Sequence, residues 1–368
     1  MIEGSKNKGD WGEFYAFLYL LAKQRVYSAD ERLNKIPDYY FPLIKIKRNE
    51  HHKATDITNR MDYVVASESG NKIVEIYKDT ELVKTMTAQE FQDEVDLLVQ
   101  DIPAANGRQF IIEHGEKFLN MLFLERLATP PTEVTDIMLS VWDTNTGRKQ
   151  DMGFSIKSYL GGAPTLLNAS EATNFVYEIS GIDDNQMNEI NTINTSKKIV
   201  DRINRIKELG GTLSYSHTAN FIFSTNLMMV DSLMEQILAE MLLYFYQSKT
   251  NSCREIINYI EKVNPLNYPR PSLYTYKFKK FLSAKALGMN PSKEWGGLDD
   301  ANGGYLAVKS DGEVLAYFLY DRNKFEQYLL DNTHFEKGST SKHNFASVYK
   351  ENDKYYINLN LQIRFFPM

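Results

Sequence analysis

Two strand-like runs, Val134–Trp142 and Met152–Tyr159, flank the turn-forming stretch Thr144-Asn145-Thr146-Gly147, which constrains the middle of the chain to a β-hairpin. Asp136 then lies on one strand and Lys157 on its neighbour. Side chains along a strand repeat every two residues, so Ser155 and Lys157 share a face. Helical periodicity surrounds the hairpin. Gly115–Leu127 precedes it and is stopped by Thr129-Pro130-Pro131, while Ser170–Ile179, Ser196–Leu209 and Val230–Gln247 follow. Helices before and after paired strands predict an α/β fold, a mixed β-sheet holding Asp136 and Lys157 between flanking helices.

The remaining segments suggest three regions. In residues 1–105, Trp11, Phe14, Tyr15, Leu18 and Leu21 predict one helix over Asp10–Gln24. A basic stretch over Ile36–Lys53 reads as irregular. Strands are expected at Tyr63–Ala66, Lys72–Tyr77 and Leu82–Met86, and Thr87 with Glu90 makes a capping box for a helix towards Val99. Residues 1–105 thus form a helix with a small α+β accessory region, and 106–264 form the core. A joint at Pro265, Pro269 and Pro271 opens a third region, 265–368, read as an α+β DNA-recognition region. There, Tyr305–Val308 and Val314–Tyr320 flank the hairpin turn Ser310-Asp311-Gly312, and a helix covers Lys324–Leu330. The end reads as one alternating strand over Ile357–Phe365.

Phosphodiester hydrolysis needs a metal to hold the phosphate and polarise water, and a cation near the nucleophile or the developing charge. An Asp and a Lys on paired strands supply both. Taken alone they fit a duller role better: a solvated strand-end acid and an edge lysine that discourages aggregation. The arrangement resembles the PD-(D/E)xK nuclease core, with Thr135 where Pro is usual and Ser155 where the second carboxylate is usual.

Longer blocks carry a closer resemblance. Asn7-Lys8-Gly9-Asp10-Trp11-Gly12-Glu13-Phe14-Tyr15 resembles the opening of HpaII-type restriction endonucleases. Gly153-Phe154-Ser155-Ile156-Lys157-Ser158-Tyr159-Leu160-Gly161-Gly162, with Thr165–Ser170 and Thr173-Asn174-Phe175, resembles their central block, and Leu359–Phe365 their closing strand. The resemblance implies a type II enzyme that uses Mg²⁺ to cut both strands of double-stranded DNA within CCGG. It also implies a cognate DNA methyltransferase as genetic partner, and a palindromic site suggests a homodimer. Asp136, Ser155 and Lys157 take the catalytic positions. The second metal ligand is open: Glu171, fourteen residues after Lys157, then Glu13 in the first helix, then Asp151.

Other chemistries fit less well. Six His residues include only the adjacent pair His51-His52 near zinc spacing, and Cys253 has no evident partner. Gly161-Gly162-Ala163-Pro164 lacks the Lys of a phosphate loop, so its glycines serve close backbone approach. One cysteine, no signal-like start and no long apolar run suit a cytoplasmic protein away from the membrane. The net charge of −6 leaves nucleic acid open, because phosphate binding depends on where cations cluster.

Candidate DNA contacts are Ser158, Asn168, Ser170 and Asn174 after the catalytic strand, and Lys279 and Lys280 in a basic run interleaved with aromatics. Ser341, Lys342 and His343 lie in a polar loop, and Gln362 and Arg364 on the final strand, where Arg suits guanine. Two rivals predict different outcomes. A decayed, non-catalytic DNA-binding protein leaves plasmid intact, and a repair or structure-specific nuclease of the same fold gives no discrete bands.

Overall fold

Asn7 begins the first element. Its side chain accepts from the amides of Gly9 (2.7 Å) and Asp10 (3.2 Å), and its own amide donates to Asp10 Oδ2 at 3.0 Å, a closed capping box. The helix it opens, α1 (Lys8–Lys23), buries Trp11, Phe14, Tyr15, Phe17, Leu18, Leu20 and Leu21. A helix apolar on most sides belongs inside a core.

The computed structural model describes residues 6–52, 57–129, 135–144, 146–339 and 342–368. After α1 come β1 (Arg25–Ala29), β2 (Lys35–His52), β3 (Ile57–Glu68), β4 (Asn71–Lys78), β5 (Glu81–Thr87), α2 (Ala88–Ala104), α3 (Glu113–Met121), β6 (Ile137–Asp143) and β7 (Arg148–Ser158). Then follow β8 (Thr165–Leu167), β9 (Asn174–Ser180), α4 (Asp184–Thr192), α5 (Lys198–Glu208), β10 (Thr212–Thr218), α6 (Phe221–Val230), α7 (Met234–Gln247), α8 (Cys253–Val263) and α9 (Leu273–Ala286). The chain ends with β11 (Gly304–Val308), β12 (Val314–Phe318), α10 (Arg322–Asn332), β13 (Thr333–Phe335), β14 (Val348–Glu351), β15 (Lys354–Asn360) and β16 (Ile363–Phe365). The fold is α/β, with one mixed sheet, two antiparallel sheets and helices among the described residues.

Two compact units divide the chain. The first is residues 1–164, 299–328 and 367–368; the second is 165–298 and 329–366. The boundaries expected near 105 and 264 fall inside these units rather than between them. In the first unit, among the described residues, nine strands run in the order β1-β12-β11-β7-β6-β2-β3-β4-β5. β1 also pairs with the first half of β2, so β1, β12, β11, β7, β6 and β2 close a ring of hydrogen-bonded neighbours. Strands expected in an accessory region and in a C-terminal region therefore share one sheet with the central hairpin. α1 packs against β7, β2, β1 and β12. In the second unit, β10-β9-β15-β14 and β13-β16-β8 form two antiparallel sheets.

Several expectations change. Ile36–Lys53, read as irregular, is strand β2 as far as His52. Its Lys and Arg residues alternate with inward Phe41, Leu43 and Ile46, and pairing on both sides outweighs the charged composition. Ser170–Ile179, read as helix, is a 3₁₀ turn over Glu171–Thr173 and then β9. Phe175, Val176, Tyr177 and Ile179 are all buried, so this is a central strand covered on both faces, which periodicity cannot separate from a buried helix. The last strand breaks at Leu361-Gln362, sending β15 and β16 to different sheets. The expected helix Gly115–Leu127 runs instead over Glu113–Met121, and Phe123 takes φ +60°. Val230–Gln247 is interrupted at Asp231. Pro130, Pro131, Val134, Asn145 and Lys53 lie outside the described residues.

One contact fixes α1 on the sheet. A Cβ at Gly12 would stand 2.3 Å from Ser158 Cβ on β7, so only a residue without a side chain permits this approach. Gly161 meets Lys8 in the same way, with 2.4 Å to its Cβ. Gly12→Ala must therefore push the helix off the strand, an overpacking loss of about 1–3 kcal/mol. Thermal melting should show that loss, and Ser158→Gly in the same chain should recover part of it; equal stability of Gly12→Ala and wild type would refute the contact.

Candidate active site

Asp136 precedes β6 by one residue and extends its ladder: its amide donates to the Phe154 carbonyl at 3.1 Å. Its Oδ2 accepts from the Ile156 amide at 2.6 Å and from Ser155 Oγ at 3.2 Å. Thr129 Oγ1 donates to the Asp136 carbonyl at 2.6 Å. The carboxylate is thus oriented by the backbone of β7. Gly153 makes the approach possible, because a Cβ there would stand 2.5 Å from Thr135 Cγ2.

Lys157 lies two residues beyond Ser155 and pairs in register with Ala307 of β11. The third charged group comes from α1. Because Gly12 seats the helix on β7, Glu13 reaches a narrow cavity of about 10 Å³ that it lines with Phe17, Arg48, Leu127, Thr129, Asp136 and Ile137. Part of the Glu13 side chain reaches the surface, yet its carboxyl lies deep in protein. Burial pushes it well above the usual carboxylate range, the charge of Asp136 adds to the rise, and Lys157 opposes it. Among the described residues neither the Glu13 carboxylate nor the Lys157 ammonium has a hydrogen bond or ion pair. The neighbouring charges are by contrast satisfied. Arg48 donates to Glu50 (3.1 Å) and to the carbonyls of Leu127 (3.2 Å) and Arg126 (3.0 Å).

The other ligand candidates are placed differently. Asp151 holds Lys47 at 2.5 Å and accepts from Ser140; burial would raise its pKa, but these bonds keep it below the usual range. Glu171 belongs to the second unit, where its Oε1 accepts from Asn344 at 2.8 Å. Among the described residues no three His, Cys, Asp or Glu side chains form a ready metal cage. Two carboxylates still fit Mg²⁺, which keeps several waters and takes one or two carboxylates together with substrate phosphate. Cys253 is buried, which pushes its thiol up to about 12, as suits packing rather than nucleophilic attack.

Ser158 sits against Gly12, and its Oγ accepts from the Leu160 amide at 3.3 Å. The remaining candidate DNA contacts lie in the second unit. Asn168 is exposed after β8, and the Ser170 amide donates to Thr173 Oγ1 at 3.1 Å. Asn174 is buried, with its amide donating to the His343 carbonyl and its oxygen accepting from Asn360, both at 2.7 Å. Lys279 and Lys280 are half-buried on α9, Lys280 over the Tyr276 ring. Lys342 is exposed and His343 takes φ +69°, while Ser341 lies outside the described residues. Gln362 occupies the break between β15 and β16, and Arg364 pairs with Glu336 at 3.4 Å. Sequence reasoning missed Arg48, hidden in a basic stretch read as irregular, and the roles of Gly12 and Gly153, which depend on contacts distant in sequence.

Asp136 and Lys157 of the hairpin, with Glu13 from α1 beside them, suit phosphodiester hydrolysis, and the class is that of a nuclease. The model of the family described as HpaII restriction endonuclease matches residues 7–365. A curated relative, the type II restriction enzyme HpaII of Haemophilus parainfluenzae, is 39% identical over 365 residues, covering 98% of each chain. No solved structure matches. The chain belongs to the HpaII restriction endonuclease family and is a type II restriction enzyme, a hydrolase that cuts double-stranded DNA site-specifically.

Because folding raises the Glu13 pKa, the native state holds that proton more tightly than the unfolded chain. The stabilisation is full below the unfolded value and is lost as pH rises through the folded one. In EDTA at neutral pH or above, Glu13→Gln should therefore melt higher than wild type, and the two should converge in acid. A lower melting temperature for Glu13→Gln at pH 8 would contradict the buried, uncompensated acid.

Proposed function

We propose that this enzyme is a Mg²⁺-dependent PD-(D/E)xK endonuclease that cuts both strands of DNA within CCGG. The observation that carries the reading is Glu13, a desolvated carboxylate with no neutralising bond among the described residues, beside Asp136 and Lys157. Two acids placed so close favour a cation between them. Asp136 and Glu13 would hold the metal, with Glu13 standing in for the carboxylate that Ser155 lacks. When bound, Mg²⁺ polarises the phosphate and lowers the pKa of water.

The chain's own residues do the rest. Ser155 and the Ile156 amide keep Asp136 oriented. Lys157 orients the attacking water and balances charge on the phosphate as the new P–O bond forms and the bond to the deoxyribose oxygen breaks. The second unit supplies base recognition, with Lys342, Gln362 and Arg364 as its candidates. CCGG comes from the family likeness, and its palindromy favours a homodimer with two-fold symmetry. A methyltransferase protecting the same sequence is the expected genetic partner.

Digestion of a mapped plasmid with Mg²⁺ should give discrete fragments ending within CCGG, and EDTA should abolish them; diffuse degradation or an intact plasmid would overturn the reading. Asp136→Ala and Lys157→Ala should each slow cutting at least about 100-fold while leaving DNA binding in Ca²⁺ intact. Glu13→Gln should match that loss and Glu171→Ala should not. The reverse order would move the second ligand to Glu171.

A further inference from the structure

Beside the cavity that holds Glu13 and Asp136 lies a wider, open cleft, and the two share Arg48, Thr129 and Ile137 among their walls. Lys47, Asn49 and Arg60 line it from β2 and β3, with Thr135 next to the catalytic Asp136. Among the described residues no carboxylate lines it, in a chain whose formal charge is −6. The strand register explains the grouping. Lys47 and Asn49 are two apart on β2 and share a face, and Arg60 stands directly opposite Asn49 on β3.

The arginine is held and only partly used. Asp62, itself buried, accepts from Arg60 Nε at 3.0 Å and from Nη2 at 2.6 Å, and also from Lys45 at 2.7 Å. The Arg60 side chain remains about half exposed (52%), and among the described residues its Nη1 makes no hydrogen bond. Lys47 spends one donor on Asp151 at the sheet surface. Cations fixed in this way beside a hydrolytic site suit a polyanion running past it, since oriented guanidinium and ammonium groups bind successive phosphates without reading bases.

We propose that this β2–β3 face is a backbone clamp, in which Arg60 and Lys47 seat the phosphates that flank the scissile one on the strand being cut. The proposal rests on the nuclease reading and extends it to a subsite built by β2 and β3 of the first unit, whereas the residues proposed to read bases belong to the second. Thr135 adds a neutral hydroxyl along the same wall. Arg60 and Lys47 are positioning residues: they fix where the strand lies relative to Asp136.

The test is binding of a CCGG duplex and a scrambled duplex in Ca²⁺ across a range of KCl, followed by fluorescence anisotropy. Each phosphate contact contributes about 0.9 to the slope of log K against log salt. Arg60→Ala and Lys47→Ala should each lower the slope by about one and weaken both duplexes alike, while Arg60→Lys keeps the wild-type slope. Equal melting temperatures exclude misfolding, and Arg60→Lys serves as the second variant should Arg60→Ala fail to fold. A wild-type slope in both alanine variants, or a loss confined to the CCGG duplex, would overturn the clamp. The two readings separate cleanly. Wild-type cutting with unchanged slopes sinks the clamp alone, and an uncut plasmid with lowered slopes sinks the nuclease reading alone.

Discussion

The contact between Gly12 and Ser158 decides where Glu13 can reach. A helix carrying any side chain at that point would stand farther from β7, and the residue after Gly12 would no longer reach Asp136 and Lys157. Three charged groups from segments far apart in sequence converge because a helix apolar on most sides is seated against a ring of strands. β11 and β12, contributed from beyond residue 300, close that ring by pairing with β7 and β1. The site is therefore a property of the whole first unit and not of the hairpin alone.

Charge around the site is arranged unevenly. Asp62 takes Lys45 and Arg60, Asp151 takes Lys47, and Glu50 takes Arg48, so the surrounding sheet is electrically satisfied. Glu13 and Lys157 have no such partner among the described residues. A desolvated acid without a partner lowers the stability of the metal-free protein, and perturbed groups of this kind mark functional sites more often than structural ones. The fixed orientation of Asp136, with a backbone amide and a hydroxyl on one oxygen, leaves its other oxygen for a ligand.

The hairpin was legible in the sequence because turn chemistry and alternation agree there, and Asp136, Ser155 and Lys157 follow from it. The helix at residues 8–23 was legible from its spacing, and with it Glu13 as a candidate. Which acid joins Asp136 was not: Glu171 stood first on its spacing from Lys157 and on a helix expected after Ser170, where Phe175, Val176, Tyr177 and Ile179 instead form a strand buried on both faces and period carries no information. β2 was hidden by its lysines, whose aliphatic stems and partners let a basic run sit inside a sheet. The parallel pairing of β11 with β7 joins residues about 150 apart, and local pattern cannot announce it.

Crystals soaked in Mn²⁺ and read by anomalous scattering test the shared-ion geometry most directly. A peak bridged by the carboxylates of Glu13 and Asp136, with Lys157 alongside, is the expected result. A peak bound by Glu171, or by neither Glu13 nor Asp136, would contradict it.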